Sequence, residues 1–367
     1  MIVKKVIIIS LLIISGVVNS QNKIIPEFTA DAWEVKAKNH EFKEYKGKRA
    51  LYLDNGKARL KNSSFKNGII EYDISFEKGR NFAGVHFRIQ DKLNYEELYL
   101  RPHQSGNDDS IQYAPVINGN GSWQLYHGEG HWAAFNYEFG EWMHVKIVIS
   151  NTKMDVFIDD MDSPILHVHD LKRELKTGAL GFGTFLGATY YANLTYQEIE
   201  NPTLSTKTNP SDMIEKGTVL NWQVSKAFSS DKLKQITALK NLDITVVQRV
   251  LAERSGTLNL SRVSSVSNET NAIIAKFNID SDSEQLKELH FGYSDKVIVF
   301  VNGKAVYTGD NSFRTRDYRY LGSIGYFDTI FLSLKKGKNE IAFALTERMG
   351  GWGVKAKLGD NNGIAIE

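Results

Sequence analysis

Two neighbouring stretches of the sequence carry an unusual set of side chains for an exposed sheet face. Residues 82–90 and 94–101 alternate between apolar and polar residues, as half-buried strands do. If the two strands pair, their polar residues share one face that bears an imidazole, a carboxylate, a phenol and two guanidinium groups. These five residues are His86, Arg88, Glu97, Tyr99 and Arg101.

This face could bind or cleave a polar, ring-shaped ligand. His86 could act as a base and Glu97 as an acid or nucleophile. Arg88 and Arg101 could hold a carboxylate or sulfate in a fork, and Tyr99 could stack on a sugar ring. The catalytic candidates are therefore His86, Glu97, Tyr99 and Arg101. The alternative is a partly buried polar network, in which both arginines pair with Glu97.

Further ligand contacts are predicted after this face, where residues 122–132 mix aromatic rings with glycines. Such loops present rings that can stack on sugars. The alternative is a hairpin whose rings pack over the edge of the sheet. The additional ligand-binding candidates are His103, Gln112, Trp123, His127 and Trp132.

Metal sites have weak support in the sequence. His127, Glu129 and His131 are spaced like metal ligands, but zinc sites usually need a further fixed ligand and a shaped second shell. Asp108 and Asp109 lie in an oxygen-rich loop of the kind that calcium prefers. We therefore expect no cofactor other than a possible structural calcium.

Length and composition limit the classes of protein that fit. A chain of 367 residues is long enough for two domains. The net charge of +2, without a long basic run, argues against a nucleic-acid partner. Because the chain has no cysteine, disulfides, thiolate metal sites and a cysteine-linked lipid anchor are excluded.

The N-terminus has the pattern of a signal peptide over residues 1–20. Lys4 and Lys5 precede a short apolar run, and a cleavage site is predicted at Ser20. The run is too short for a comfortable membrane span, so no span is expected in the mature protein, although an uncleaved anchor is the alternative. The predicted location is secreted, either periplasmic or extracellular.

The remaining chain has many short strands separated by turn residues, which predicts an all-β fold of two β-sandwich (jelly-roll) domains in tandem. We place the first domain at 21–200, a polar, proline-bounded linker at 201–211 and the second domain at 212–367. Asn302 and Gly303 form the strongest hairpin signal. Residues 314–320 combine arginines and tyrosines, which fits either a binding loop or a solvated loop.

The order of strands in the first domain resembles the concanavalin A-like lectin/glucanase superfamily, in particular its laminin G-like members. The resemblance rests on residues 65–74, 82–88, 141–148, 156–160 and 178–182. The second domain resembles the galactose-binding-like jelly rolls that are appended to secreted carbohydrate-active proteins. That resemblance rests on residues 299–307, 336–341 and 350–353.

The first resemblance implies either a binder or a glycoside hydrolase. The glucanases of that superfamily place their carboxylates on one strand as Glu-x-Asp-x-Glu. Here Glu71 and Asp73 fit this spacing, but Glu77 comes too late, so a solvated acidic strand is the favoured interpretation.

We therefore predict a secreted carbohydrate-binding protein that recognises a glycan or similar polar ligand through the first domain. The alternatives are a polysaccharide hydrolase or lyase that uses the same face, and a structural surface-interaction protein. Binding is favoured over catalysis because only one carboxylate is placed on that face.

Overall fold

The computed structural model describes residues 22–205, 213–242, 245–317 and 321–367. In these ranges the chain forms β-strands and four short 3-10 helices, without an α-helix. The predicted all-β fold class is confirmed. The predicted signal peptide at 1–20 lies outside the described residues, as do residues 206–211 of the predicted linker. No helix in the described ranges is long and apolar enough to cross a membrane.

The N-terminal part, residues 22–205, forms one 12-stranded antiparallel sheet. Its strands are β1 (Trp33–Tyr45), β2 (Lys48–Leu60), β3 (Gly68–Ser75), β4 (Phe82–Asp91), β5 (Asn94–Leu100), β6 (Ile111–Ile117), β7 (Asn120–Gly121), β8 (Trp132–Ala133), β9 (Met143–Ser150), β10 (Lys153–Ile158), β11 (Leu166–Val168) and β12 (Ala179–Glu198). A 3-10 helix, Pro102–Gln104, follows β5.

The 20-residue strand β12 allows this sheet to curl around a single core. Its first half pairs with β4 and its second half with β3, while β2 pairs with both halves. One apolar cluster contains alternate residues of β3, β4, β5, β9 and β10. Alternation therefore leaves the intervening residues of β5 on the outer face, which is where the cavity described below opens.

The C-terminal part, residues 213–367, contains two sheets of seven and four strands. Its strands are β13 (Asn221–Ser225), β14 (Val246–Leu251), β15 (Leu258–Asn259), β16 (Ala272–Ser281), β17 (Gln285–Ser294), β18 (Lys296–Val301), β19 (Lys304–Asp310), β20 (Asp328–Leu334), β21 (Gly337–Thr346), β22 (Gly353–Leu358) and β23 (Ile364–Ile366). The 3-10 helices are Ser230–Leu233, Leu239–Asn241 and Leu260–Arg262.

The two C-terminal sheets enclose a second apolar cluster, separate from the first. Trp222 packs edge-on against Phe277 and Phe343, with ring centroids 5.1 and 5.7 Å away. Asn302 and Gly303 join β18 to β19 with positive φ angles of 49° and 81°, so the hairpin predicted there is confirmed. The predicted boundaries at 200 and 212 stay a prediction.

Gln124 ties the two parts of the chain together. Its side chain is fully buried, its amide donates to the carbonyl of Leu321 (2.8 Å), and its oxygen accepts from Ser294 (2.9 Å). Nearby, Glu253 accepts hydrogen bonds from Tyr126 and from Lys172, the latter at 2.9 Å. These buried polar contacts hold the C-terminal part beside β6 in a defined orientation.

Candidate ligand-binding site

A cavity of ≈ 510 Å³ opens over the outer face of β5 and β6, between the two parts of the chain. We call it the cleft. Its N-terminal wall includes Arg80, Phe82, Glu97, Tyr99, Arg101, His103, Trp123, Phe185 and Leu186. Its C-terminal wall consists of Phe313, Arg314, Leu321 and Met349. The volume lies in the range of small-molecule sites.

The strand register accounts for the polar side of the cleft. β4 pairs with β5 so that His86 lies opposite Glu97, as the alternating pattern predicts. Leu98 and Leu100 are buried in the core, whereas Glu97, Tyr99 and Arg101 line the cleft. Three of the four catalytic candidates thus line one cavity.

His86, the fourth candidate, supports Glu97 from behind. Its ring is buried, packs on Tyr95 at 4.5 Å between centroids, and places Nε2 3.2 Å from Oε1 of Glu97. Gly183 faces the ring so closely that a Cβ there would come within 2.5 Å of it. Lys57 donates a hydrogen bond to the hydroxyl of Tyr95 at 2.5 Å. Burial lowers the pKa of the Lys57 ammonium, although the negative charge of Glu97 acts to raise it. His86 therefore positions Glu97 and is not part of the cleft wall.

Arg101 brings positive charge to the floor of the cleft. Its Nη1 pairs with the carboxylate of Asp109, and its guanidinium lies 5.6 Å from the ring centroid of Phe82. Nearby, burial lowers the pKa of His103, and the charges of Arg101 and Arg80 lower it further. The His103 ring packs against Phe82 at 5.0 Å, so the cleft holds a neutral imidazole beside two cations at neutral pH.

Gln112 requires a correction of the predicted ligand contact. Its side chain is buried, its oxygen accepts from the hydroxyl of Tyr99 (2.8 Å), and its amide donates to the carbonyls of Trp123 and Tyr126 (both 3.1 Å). All of these partners belong to the protein. Gln112 therefore fixes the Trp123 loop against β5 instead of facing a ligand.

Arg88 does not share the face of His86, and the prediction that it does is wrong. Its φ of 50° breaks the alternation, and the pairing of β4 with β5 shifts register between Phe87 and Asp91. The buried guanidinium donates to Lys66 O (2.8 Å), Asn67 Oδ1 (3.0 Å) and Asn151 O (2.7 Å). Arg88 ties β4 to two loops of the N-terminal part.

The predicted aromatic loop, residues 122–132, mostly serves the junction between the two parts. Of its ligand candidates only Trp123 lines the cleft. His127 places Nε2 2.8 Å from the carbonyl of Ile324, and Trp132 packs beside it at 5.6 Å. His127 and Trp132 therefore do not line this cavity, and ligand contact by them stays a prediction.

The candidate metal ligands do not converge. Asp109 uses its carboxylate on Arg101, which leaves Asp108 without a second acidic ligand from this pair. Across residues 22–205, 213–242, 245–317 and 321–367 no group of three or more His, Cys, Asp or Glu side chains could hold a metal ion. The cluster expected at His127, Glu129 and His131 is thus not formed in these ranges, and a structural calcium at Asp108 and Asp109, which could also use carbonyl and water ligands, stays a prediction.

The glucanase-like carboxylates lie elsewhere. Asp73 accepts from Lys48 (2.7 Å) and Asn193 (2.6 Å), and its Oδ1 lies 2.7 Å from Nδ1 of His144. Glu71 pairs with Lys23 at 2.5 Å. These groups do not line the cleft, and Asp73 is buried among its partners, so the strand is not the solvated acidic face that the sequence suggested.

Several residues that line the cleft are not among the candidates predicted from the sequence. Phe185 and Leu186 are 60% and 43% exposed, because an irregularity in β12 between Thr184 and Ala188 turns them outward. The sequence signal for these two residues is a pair of large apolar side chains between Gly183 and Gly187. Phe313 and Met349 line the cleft from the C-terminal part. Of that wall, the sequence singles out only Arg314, which follows Phe313 in a basic and aromatic segment.

Two arginines give the cleft uncompensated positive charge. Within the described ranges, Arg80 and Arg314 make no hydrogen bond or ion pair with the protein, and Arg314 lies 5.0 Å from the ring of Phe313. Among the described lining residues Glu97 is the only carboxylate. The arrangement can therefore accept an anionic group between the two parts of the chain.

Comparison with known proteins gives fold-level likeness only. No family model matches the chain, and no curated protein matches it. Among solved structures, the carbohydrate-binding module CBM66 from Bacillus subtilis is 15% identical, covers 45% of this chain and 95% of its own, and has a TM-score of 0.36.

Two further structures give similar values. A protein of unknown function with a galectin-like fold from Bacillus subtilis is 12% identical over 48% of this chain and 95% of its own, with a TM-score of 0.37. A β-glucanase from Bacillus licheniformis is 10% identical over 48% and 98%, with a TM-score of 0.35.

Proposed function

We propose that this protein binds a glycan, and specifically a carboxylate- or sulfate-bearing one, in the cleft between its two parts. The observation that carries the proposal is the convergence of partly or fully exposed aromatic rings and unpaired guanidinium groups around one cavity. Trp123, Phe185 and Phe313 offer apolar faces on which sugar rings can pack. Arg80 and Arg314 offer planar donors for a carboxylate or sulfate.

Binding is favoured over cleavage by the supply of carboxylates. Glycoside hydrolysis, whether it retains or inverts the configuration of the sugar, uses two carboxyl groups roughly 5–10 Å apart. Among the described lining residues only Glu97 is available, and His86 approaches it at 3.2 Å. That pair is the observation in favour of the second candidate, a polysaccharide hydrolase or lyase.

A polysaccharide panel tests the proposal. It compares the purified protein, produced without residues 1–20, on polygalacturonate, alginate, chondroitin sulfate and dextran sulfate, with xylan and laminarin as neutral controls. We expect retention by acidic polymers, and the carboxylate and sulfate arms identify which anion is preferred. Equal retention on neutral polymers would contradict the proposed charge preference. Neither binding nor turnover on any polymer would favour a structural surface-interaction protein.

A reducing-end assay on the same panel, supplemented with absorbance at the wavelength of unsaturated uronates, separates binding from catalysis. We expect no turnover for the wild type. Turnover that is lost in Glu97→Gln, with folding unchanged, would establish the enzyme instead. We further propose that the protein is exported, which expression of the full chain with fractionation would test.

A further inference from the structure

A second hollow of ≈ 340 Å³ lies next to the cleft, at the edge of the N-terminal sheet. We call it the tyrosine groove. Three half-buried rings, those of Tyr45, Tyr52 and Tyr190, line it together with residues 76–81. Tyr45 stacks on Tyr190 with centroids 3.7 Å apart and planes 2° from parallel, and Tyr52 lies 5.1 Å from Tyr190.

These rings stand outside the apolar core. None of the three belongs to the core cluster of the N-terminal part, whereas Tyr72 and Tyr191 do. The groove also has charged lining residues, Glu77, Lys78 and Arg80, and Lys43, which pairs with Glu41, lies 4.9 Å from the Tyr52 ring centroid. A hollow that combines partly exposed rings with polar groups has the composition of a binding surface.

The groove and the cleft share part of their walls. Arg80 lines both hollows. Along β12, Phe185 and Leu186 line the cleft, and the next two residues, Gly187 and Ala188, line the groove. The two hollows therefore adjoin at Arg80 and along residues 185–188.

The ridge between the two hollows is a fixed structure. The buried side chain of Asn81 donates to the carbonyl of Ala188 (3.1 Å) and to Oγ1 of Thr189 (2.9 Å), and accepts from Thr184 (2.8 Å). Gly187 approaches Asn81 so closely that a Cβ would come within 2.7 Å of it. The two hollows therefore keep a constant relative position, as a surface for one long ligand requires.

We infer that the ligand of the cleft is a polymer, and that its chain continues past Arg80 into the tyrosine groove. This inference rests on the proposed glycan binding in the cleft. The rings of Tyr45, Tyr52 and Tyr190 would pack against sugar units beyond the one held by Arg80 and Arg314. The occupant of the groove is thus the same acidic polysaccharide, and affinity depends on its length.

The test is a length series, from disaccharide to octasaccharide, measured by isothermal titration calorimetry. Oligogalacturonides serve as the uronate series and chondroitin sulfate oligosaccharides as the sulfate series. For the wild type we expect affinity to rise by about tenfold between short and long members of the preferred series. In Tyr45→Ala we expect this rise to disappear while the affinity for the shortest ligand that binds is retained.

Two controls separate ligand contact from a structural role. Tyr45→Phe keeps the ring and should keep the length dependence. Phe331→Ala removes a ring that is 65% exposed and lines neither hollow, and should change nothing. A purely structural Tyr45 would lower thermal stability in the alanine variant without altering the dependence on length, which would overturn the inference.

The outcomes also separate this inference from the proposed function. If short oligosaccharides bind and longer ones bind no better, the cleft is a glycan site and the extension into the groove is wrong. If no member of either series binds, the proposed function fails and the extension fails with it.

Discussion

Trp123 and Phe313 meet edge to face across the cleft, with ring centroids 6.1 Å apart and planes at 86°. One ring comes from the loop after β7 and the other from the C-terminal part, so neither part forms this wall alone. Gln112 holds the Trp123 carbonyl, and Gln124 holds the carbonyl of Leu321 beside Phe313. The site therefore depends on the junction as much as on either core.

Removing either ring of this pair should weaken ligand binding. We expect Trp123→Ala and Phe313→Ala each to reduce affinity for an acidic oligosaccharide by about tenfold, since each removes a packing surface and exposes the other ring. The measurement is calorimetric titration, with melting curves to confirm folding. Unchanged affinity in both variants would contradict a role for these rings in the cleft.

The two unpaired arginines should determine the charge preference. Arg80→Ala and Arg314→Ala should each lower affinity for the acidic ligand by about tenfold. The wild-type affinity should also fall as salt rises toward about 1 M, where screening acts within about 3 Å. Arg249→Ala is a matched control because Arg249 is exposed on β14 and does not line the cleft. A salt-independent affinity would count against an anionic ligand.

The junction should be sensitive to loss of Glu253. Lys172 is 9% exposed at its side chain and pairs with both Glu253 (2.9 Å) and the exposed Asp170 (2.7 Å). We expect Glu253→Ala to destabilise the protein by about 3 kcal/mol, because it leaves a buried ammonium with one solvated partner. Chemical denaturation provides the measurement, and Glu269→Ala, which removes an exposed carboxylate from a loop, is the control.

A buried acid pair near the junction should make stability depend on pH. Burial raises the pKa of Asp295 from 3.8 to about 6, and burial together with the charge of Asp295 raises the pKa of Glu347 well above its usual range. Both groups bind protons more tightly in the folded state. Their contribution to the free energy of unfolding is therefore fully present below pH 3.8. It is lost as pH rises through about 6 and beyond.

Replacing one member of this pair should reverse that loss. At alkaline pH, where the wild type must keep charge buried, we expect Glu347→Gln to melt about 3 °C higher than the wild type or more. Below the usual carboxyl pKa the difference should vanish. The measurement is a set of melting curves across pH, and a glutamine variant less stable than the wild type at every pH would refute the account.

Local pattern was sufficient for the strands that form the floor of the cleft. The alternation of residues 94–101 correctly sends Leu98 and Leu100 to the core and Glu97, Tyr99 and Arg101 outward. It fails at Arg88, because a single positive φ changes the side on which the next residues lie. Periodicity contains no information about such a bulge.

The C-terminal wall of the cleft could not be predicted from the sequence, for a different reason. Phe313 and Arg314 face Trp123 only because Gln124, Tyr126 and their partners dock the C-terminal part there. Docking of this kind depends on hydrogen bonds between residues more than 100 positions apart in the chain. The same docking explains why His127, predicted to meet a ligand, meets the carbonyl of Ile324 instead.

The most direct test of the central claim is calorimetric titration of one acidic oligosaccharide into the wild type and into Arg80→Ala, Arg314→Ala and the double variant. If one cleft between the two parts holds the anion, each single variant should lose affinity, and the coupling between the two substitutions should be non-additive. If affinity is untouched by Arg314→Ala, the C-terminal part has no role in binding, and the account of a shared site is contradicted.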